Sequence, residues 1–247
     1  MNINAETKRK LRDMGASALL SSLENQDESL CMGLTFEERI QMVVDEAHSS
    51  YITDRIGRLT KRACLRYPEA DIRQLDFDEE RKLNRVLIAE LATCGYIERT
   101  DNLILQGYSG TGKTYMSCAF AKESCRHQMR TYYVRIPDLE EQRKSALTKT
   151  GTDKKLITKL SNYELLVLDE WLLDEPDEGF RAFLLEIMER RFKEGSTIFC
   201  TQFQQKDWHA RLGGGVTAEA IMDRIVHNAN WIEMGDVNMR AKYSKVR

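Results

Sequence analysis

Residues Gly107 to Thr114 read GYSGTGKT, and this stretch decides the fold of the chain. It fits the phosphate-binding pattern G-x-x-x-x-G-K-[ST], in which glycines let the backbone bend until several N–H groups face one anion. An apolar run, NLILQ, precedes it at Asn102–Gln106, and a helical pattern begins at Lys113. The loop therefore leads from a strand into a helix N-terminus, where the helix dipole favours negative charge. This order predicts a nucleoside triphosphate site.

The loop residues have distinct expected roles. Lys113 is predicted to reach the β- and γ-phosphates, and the Thr114 hydroxyl to bind Mg²⁺. The alternative, a glycine-rich turn with an incidental lysine, does not account for the strand before it and the helix after it. We therefore expect ATP and Mg²⁺ as ligands, with the nucleotide held by Gly107, Tyr108, Ser109, Gly110, Thr111, Gly112, Lys113 and Thr114.

A second motif, ELLVLDE, lies downstream at Glu164–Glu170. Its apolar run places Asp169 at the carboxyl end of a buried strand, where open parallel sheets bind ligands. We expect Asp169 to bind the nucleotide's Mg²⁺ together with Thr114, and Glu170 to activate water as general base; ordinary surface acids are the alternative. Gln202 follows another apolar strand and is expected to position that water. An acid beside the Mg²⁺ aspartate favours ATP hydrolysis over phosphate transfer by a small-molecule kinase.

Apolar strands alternate with helical patterns in the rest of the chain after residue 79, which predicts an α/β fold with a mostly parallel sheet covered by helices on both faces. The predicted strands are 102–106, 131–136, 164–169, 196–201 and 231–234. The predicted helices are about 79–91, 113–127 and 177–193, a partly helical stretch at 138–161, and two segments flanking Gly213–Gly215.

The first third of the chain reads as helical only. Helices are predicted at about 6–23, from Thr35 onward with Glu38 completing a capping box, and at about 51–66. Pro68 follows the last of these, and an acidic, weakly periodic stretch comes after it. The predicted organisation is a small helical domain at 1–68, a linker at 69–78 and a nucleotide domain at 79–247.

Composition limits the classes of function. The net charge is −2, so any binding of nucleic acid must come from local basic patches. The six cysteines are scattered with no C-x-x-C pair, which argues against a zinc site and against a secreted disulfide framework. The N-terminus lacks a signal-peptide core, and no apolar run approaches the ~20 residues that span a bilayer. These features predict a cytoplasmic protein without membrane contact.

Several motifs together resemble one family. GYSGTGKT, LLVLDEW, STIFCTQ, AIMDRIVHNANWIEM and the closing NMR resemble the IstB-like transposition helper ATPases of bacterial insertion sequences. These are AAA+ proteins close to the DnaC-type helicase loaders. The resemblance implies that Arg224 is an arginine finger for the neighbouring subunit's γ-phosphate, that Arg240 touches the phosphates of its own subunit, and that Gln202 is the first sensor. A surface ion pair is the alternative for either arginine.

The resemblance also implies partners. The protein would form a homo-oligomer with ATP at the subunit interfaces, assemble on duplex DNA and stimulate a transposase. The alternatives are a helicase loader acting on single-stranded DNA, a small-molecule kinase, and a scaffold that binds ATP but barely hydrolyses it. Candidate DNA contacts, with a solvated helix face as the alternative reading, are Arg55, Arg58, Arg62 and Arg66 in one stretch and Arg143, Lys144, Lys149, Lys154, Lys155 and Lys159 in another.

Overall fold

A computed structural model describes residues 3–27, 29 and 31–244, and the chain divides into two compact units, 1–58 and 59–247. The outer ends of the two predicted domains, residues 1, 2 and 245–247, lie outside the described residues, as do 28 and 30. Among the helices of the described ranges, none combines the length and the apolar character needed to cross a membrane.

The first unit is helical. Its elements are α1 (Ala5–Asp13), α2 (Ser17–Glu24) and the greater part of α3 (Phe36–Arg62). The predicted capping box is confirmed, because the Thr35 N–H donates to Glu38 Oε2 at 2.7 Å and the Glu38 N–H donates to Thr35 Oγ1 at 3.3 Å. The predicted first helix is divided near Gly15, which has a φ of +72°. The predicted second and third helices form the single helix α3, since no glycine or proline separates them.

The second unit begins inside α3, at Leu59, which is earlier in the chain than the predicted boundary at 68. The stretch 69–78, predicted as a linker, packs against the apolar core of this unit. Ala70 is fully buried and Leu75 is 8% exposed. The apolar residues of this acidic stretch, Ala70, Ile72, Leu75 and Phe77, have no regular helical or strand spacing, so its sequence did not predict the packing.

The remaining helices belong to the second unit. They are α4 (Arg85–Ala92), α5 (Gly95–Glu98), α6 (Lys113–Arg126), α7 (Ile136–Thr150), α8 (Lys154–Ser161), α9 (Glu178–Arg191), α10 (Gln205–Arg211), α11 (Gly215–Val226) and α12 (Met239–Ser244). The predicted helix at 79–91 starts later than expected. Glu79–Arg81 forms a 3₁₀ turn, and Lys82 has a left-handed φ of 53° that separates the turn from α4.

The sheet has five parallel strands in the order β2-β3-β4-β1-β5, which confirms the predicted α/β architecture. The strands are β1 (Asn102–Gln106), β2 (Thr131–Arg135), β3 (Leu165–Trp171), β4 (Ser196–Thr201) and β5 (Ala229–Glu233). Because β4 lies between β1 and β3, the loop after β1, the acids of β3 and Gln202 after β4 meet at one edge of the sheet.

Alternation along the strands gives the sheet two apolar faces. On one face Leu103, Leu105 and Val167 share a buried cluster with α6, which includes Met116 and Phe120. On the other face the intervening strand residues share a cluster with α9, α10 and α11. This packing fixes α6 against the sheet, and with it the position of Lys113 and Thr114 at the start of that helix.

Candidate active site

The phosphate loop connects β1 to α6, as predicted, and its glycines are needed where they stand. Gly110 and Gly112 have φ angles of +89° and +95°, in the left-handed region that side chains disfavour. A Cβ atom added at Gly110 would lie 2.5 Å from the side-chain oxygen of Asn238. The Met239 N–H also donates to the Gly110 carbonyl at 2.9 Å. The segment before α12 therefore packs directly on the loop.

The Lys113 ammonium group lies against the carbonyls of its own loop. It donates to Gly107 O at 2.5 Å and to Tyr108 O at 2.8 Å. Burial lowers the pKa of this lysine from its ordinary value. A desolvated cation at a helix N-terminus favours an anion, and polyphosphate is the anion that the surrounding loop fits.

Asp169 accepts three hydrogen bonds and is only 2% exposed. Its Oδ2 accepts hydrogen bonds from the Thr114 hydroxyl at 2.9 Å and from the Tyr133 hydroxyl at 2.7 Å, and its Oδ1 accepts from the Glu170 N–H at 2.9 Å. A hydroxyl and a carboxylate oxygen side by side form the hard donor set that Mg²⁺ prefers. The residues present therefore fit a magnesium ion bound to the phosphates.

Tyr133 is a site residue that the sequence did not reveal. Burial, followed by the charge of Asp169, raises the pKa of its phenol far above the ordinary value, so the phenol remains a hydrogen-bond donor. It lies in β2, next to β3 in the sheet. A tyrosine is common in β-strands, so its presence in the sequence does not indicate a site. Only the pairing of β2 with β3 brings Tyr133 to Asp169.

An irregularity at the end of β3 sets the direction of the Glu170 side chain. The pairing of β3 with β4 shifts register between Leu168 and Trp171, and Glu170 has a φ of 61°. Bulges of this kind turn a side chain away from the regular alternation of a strand. Two arginines hold the carboxylate: Arg135 Nη2 lies 3.1 Å from one oxygen and Arg66 Nη1 lies 3.6 Å from the other.

These two arginines change the expectations for the site. Arg135, which no sequence motif indicated, ends β2 and pairs in register with Asp169. Its hydrogen bond to Glu170 raises the pKa of the guanidinium. Arg66 was predicted to lie at the end of a helix spanning about 51–66. That prediction is wrong, because α3 ends at Arg62 and Arg66 lies beside the candidate base.

A cavity of about 760 Å³ opens beside these groups. A volume of this order suits a ligand the size of a nucleotide. The residues predicted to bind nucleotide or act in its hydrolysis that line the cavity are Ser109, Gly110, Gly112, Lys113, Thr114, Asp169, Glu170, Gln202 and Arg240. The structure thus brings Gln202 and Arg240, which come from distant parts of the sequence, to the same cavity as the phosphate loop. Aromatic side chains, Tyr67, Tyr115 and Tyr243, also line it.

Arg224 lies elsewhere in the second unit. Its guanidinium is 2.5 Å from Glu189 on α9 and donates to the Ala220 carbonyl at 2.9 Å. It lines a separate cavity of about 620 Å³ and does not line the cavity beside Lys113. An action of Arg224 on the nucleotide of its own chain is therefore not supported by this arrangement.

The basic DNA-contact candidates divide into paired and exposed residues. Arg143 is held by Asp153 at 3.0 Å and lies over the Phe183 ring at 5.7 Å, so it has a structural role within the second unit. Lys144 pairs with Glu140 at 2.6 Å, and Lys159 lies over the Tyr132 ring at 5.0 Å. The candidates with exposed side chains on α3 and on the first turn of α8 are Arg55, Arg58, Arg62, Lys154 and Lys155.

The proteins that this chain is similar to are ATP-binding proteins of insertion sequences. The family described as IstB-like ATP binding protein matches residues 7–246. A protein named as an insertion sequence ATP-binding protein, y4pL of Sinorhizobium fredii, is 32% identical over 235 residues, covering 94% of this chain and 94% of that protein. The ATP-binding protein of insertion sequence IS1162 from Pseudomonas fluorescens is 35% identical over 169 residues, covering 68% of this chain and 73% of that protein.

Solved structures show the same fold. The DnaC helicase loader superposes with a TM-score of 0.55 at 22% identity, over 68% of this chain and 98% of that chain. At this identity the likeness shows a shared fold and nothing beyond it.

Proposed function

This chain belongs to the family of IstB-like ATP binding proteins, and from that premise we propose that it is the helper ATPase of an insertion sequence, assembling on duplex DNA with ATP and presenting that DNA to a transposase. That the chain is an ATP-binding AAA+ ATPase follows from the family itself. The assembly, the DNA and the transposase are the proposed parts. The relatives named for insertion sequences support the transposition context.

One observation carries the catalytic part of the proposal. Lys113, Thr114, Asp169 and Glu170 all line one cavity, and the Thr114 hydroxyl is 2.9 Å from the Asp169 carboxylate. The Thr114 hydroxyl and the Asp169 carboxylate would hold Mg²⁺, which neutralises charge on the phosphates. Lys113 and the loop amides bind the phosphate tail, Gln202 orients water, and Glu170 removes its proton.

The trans arginine is the second part of the proposal. Arg224 lies away from its own nucleotide cavity, which supports a role at the cavity of a neighbouring protomer. An arginine supplied in this way is typically worth about 10³–10⁵ in rate. ATP would then act as a bridge between protomers, and its hydrolysis would loosen the assembly.

DNA contact is assigned to exposed basic residues of the second unit, above all Lys154 and Lys155 at the start of α8. Side chains of this kind bind the phosphate backbone without reading sequence. A helicase loader acting on single-stranded DNA is the alternative. The likeness to the DnaC structure supports the shared fold and does not extend to that function.

Nucleotide-dependent assembly on DNA tests the proposal. Sedimentation of the full chain would be measured with fluorescent duplex or single-stranded DNA of equal length, with a non-hydrolysable ATP analogue or without nucleotide. We expect large complexes on duplex DNA with the analogue and not with the Lys113→Ala variant. Assembly restricted to single-stranded DNA would favour the helicase-loader function instead. Assembly that does not depend on nucleotide would contradict both functions.

A further inference from the structure

A buried arginine lies in the wall of the nucleotide cavity and has no part in the mechanism above. Arg81 is 3% exposed and is one of the residues that line the cavity. Among the described residues no carboxylate lies within ion-pair distance of it. The nearby Asp76 and Asp78 are each paired with Lys242, at 2.8 Å. A buried cation without a paired anion is costly, so this position calls for an explanation.

The guanidinium of Arg81 donates to two backbone carbonyls. One belongs to Asp76, and the other to Thr111 of the phosphate loop, at 3.1 Å from Nη2. Its Nε–H is buried and has no hydrogen-bond partner. Thr111 is itself only 1% exposed, and its hydroxyl donates to Tyr108 O at 2.9 Å. Arg81 is therefore part of the support of the loop and not a surface charge beside it.

The contact with Thr111 sets the direction of an amide in the loop. The Thr111 carbonyl and the Gly112 N–H belong to one planar trans peptide, so they point in opposite directions. Because Arg81 holds the Thr111 carbonyl, the Gly112 N–H of the same peptide is directed away from the guanidinium. Loops of this type bind phosphate through such inward N–H groups. Gly112, with a φ of +95°, has the freedom to place this peptide in either direction, so an external support is required.

Close packing leaves Arg81 little room to move. A Cβ atom added at Gly112 would lie 3.3 Å from Arg81 Nη2, and one added at Gly235 would lie 2.5 Å from the Arg81 carbonyl oxygen. Gly235 lies two positions after Glu233, the last residue of β5. Arg81 thus joins three separate segments: its own 3₁₀ turn, the phosphate loop and the chain after β5.

We propose that Arg81 is a positioning residue of the nucleotide site, which orients the Thr111–Gly112 peptide toward the phosphates and whose buried charge is compensated when the polyphosphate binds. This inference rests on the proposed ATP site at Lys113. It adds a determinant from a segment that precedes the phosphate loop in the sequence. Burial lowers the pKa of Arg81, and the nearby charges of Asp76 and Asp78 offset this effect only in part.

Three variants of the full chain test the role of Arg81: Arg81→Met, Arg81→Gln and Arg81→Lys. Arg85→Met is the matched control, because Arg85 is exposed on α4, lies over the Phe77 ring and does not line the cavity. The dissociation constant of ATP would be measured by titration calorimetry with Mg²⁺, KM and kcat by phosphate release, and the unfolding midpoint without nucleotide by circular dichroism.

We expect Arg81→Met and Arg81→Gln to raise the dissociation constant and KM of ATP by about tenfold or more, while kcat at saturating ATP changes by less than about threefold. Arg81→Lys should recover part of the affinity, because lysine keeps the charge but cannot reproduce the guanidinium's hydrogen bonds to both carbonyls. Arg85→Met should remain within about twofold of the unmodified chain.

A merely structural arginine would give a different result. The unfolding midpoint would fall, yet the folded variants would bind ATP within about twofold of the unmodified chain, and this outcome would overturn the proposal. If Arg81→Met does not fold, the affinities of Arg81→Gln and Arg81→Lys decide. Failure of the underlying ATP site is recognised separately, since Lys113→Ala would then bind ATP as well as the unmodified chain.

Discussion

Thr114 and Asp169 are 55 positions apart in sequence, and a hydrogen bond of 2.9 Å joins the hydroxyl of one to the carboxylate of the other. The contact places a helix N-terminus and a strand end at the same point of the sheet edge. The Tyr133 hydroxyl shares the same carboxylate oxygen at 2.7 Å. The pair that we propose to bind magnesium is thus held in place by the protein's own hydrogen bonds.

Lys113→Ala should abolish tight binding of ATP. The variant removes a charge-assisted contact worth about 1.5–3 kcal/mol, which corresponds to a roughly 10–150-fold higher dissociation constant. Titration calorimetry with Mg²⁺ and ATP measures it. Lys122→Ala on the same helix is the control, because Lys122 does not line the cavity. Equal affinity for the Lys113→Ala variant and the control would remove the phosphate loop from the nucleotide site.

Glu170→Gln should stop hydrolysis and leave ATP binding intact. Glutamine keeps the size of the side chain but cannot take a proton from water, and loss of a general base typically costs about 10²–10⁴ in rate. Phosphate release and ATP affinity would be measured on the same preparation.

The same variant separates the remaining classes of function. A small-molecule kinase, which has no need of a water-activating acid, would tolerate the change. A scaffold that barely hydrolyses ATP would show almost no phosphate release before the change, even with DNA present.

Arg135→Ala should raise the basal rate of hydrolysis. Arg135 lies 3.1 Å from Glu170, and this ion pair occupies a carboxylate oxygen that would otherwise be free to accept a proton from water. A partly exposed pair of this type is worth up to about 1 kcal/mol, or roughly fivefold in rate. Arg130→Ala is a suitable control, since Arg130 is exposed and pairs with Glu164 outside the cavity. A slower Arg135→Ala enzyme would mean that the ion pair holds Glu170 in its productive position.

Mixing two inactive variants should restore activity if Arg224 acts between protomers. Arg224→Ala keeps an intact Glu170, and Glu170→Gln keeps an intact Arg224, so an interface between one of each contains a complete site. Phosphate release would be followed as the ratio of the two variants is changed at constant total protein. A rate that never exceeds the sum of the two variants alone would assign Arg224 to its ion pair with Glu189.

Replacing Lys154 and Lys155 together by alanine should weaken the salt dependence of DNA binding. Each phosphate contact contributes about 0.9 to the slope of log affinity against log salt, so the slope should fall by roughly 1.8 on duplex DNA. Anisotropy titrations at several salt concentrations measure it. The double variant Lys122→Ala with Lys206→Ala has the same change in charge and is the control. Equal slopes for the two double variants would exclude the start of α8 from the interface.

The sequence predicted the parts of this site that are local in the chain. The phosphate loop can be predicted from GYSGTGKT between a strand and a helix without reference to distant residues. The glycines, the lysine and the helix N-terminus all lie within one short segment of backbone. The carboxyl end of an apolar strand likewise locates Asp169 at the ligand edge of a parallel sheet. The five strands followed from their apolar runs for the same reason.

Tertiary structure alone decided which other side chains reach these groups. Arg135 and Tyr133 approach the two acids through the pairing of β2 with β3. Arg66 reaches Glu170 because α3 ends at Arg62, and Arg81 reaches the Thr111 carbonyl because an acidic, unpatterned stretch packs on the core. Register and packing depend on the free energy of the whole fold, so no local pattern encodes them. The sequence by itself therefore determined the phosphate loop and the two acids at the end of β3. The fold determined which side chains support the loop and orient those acids.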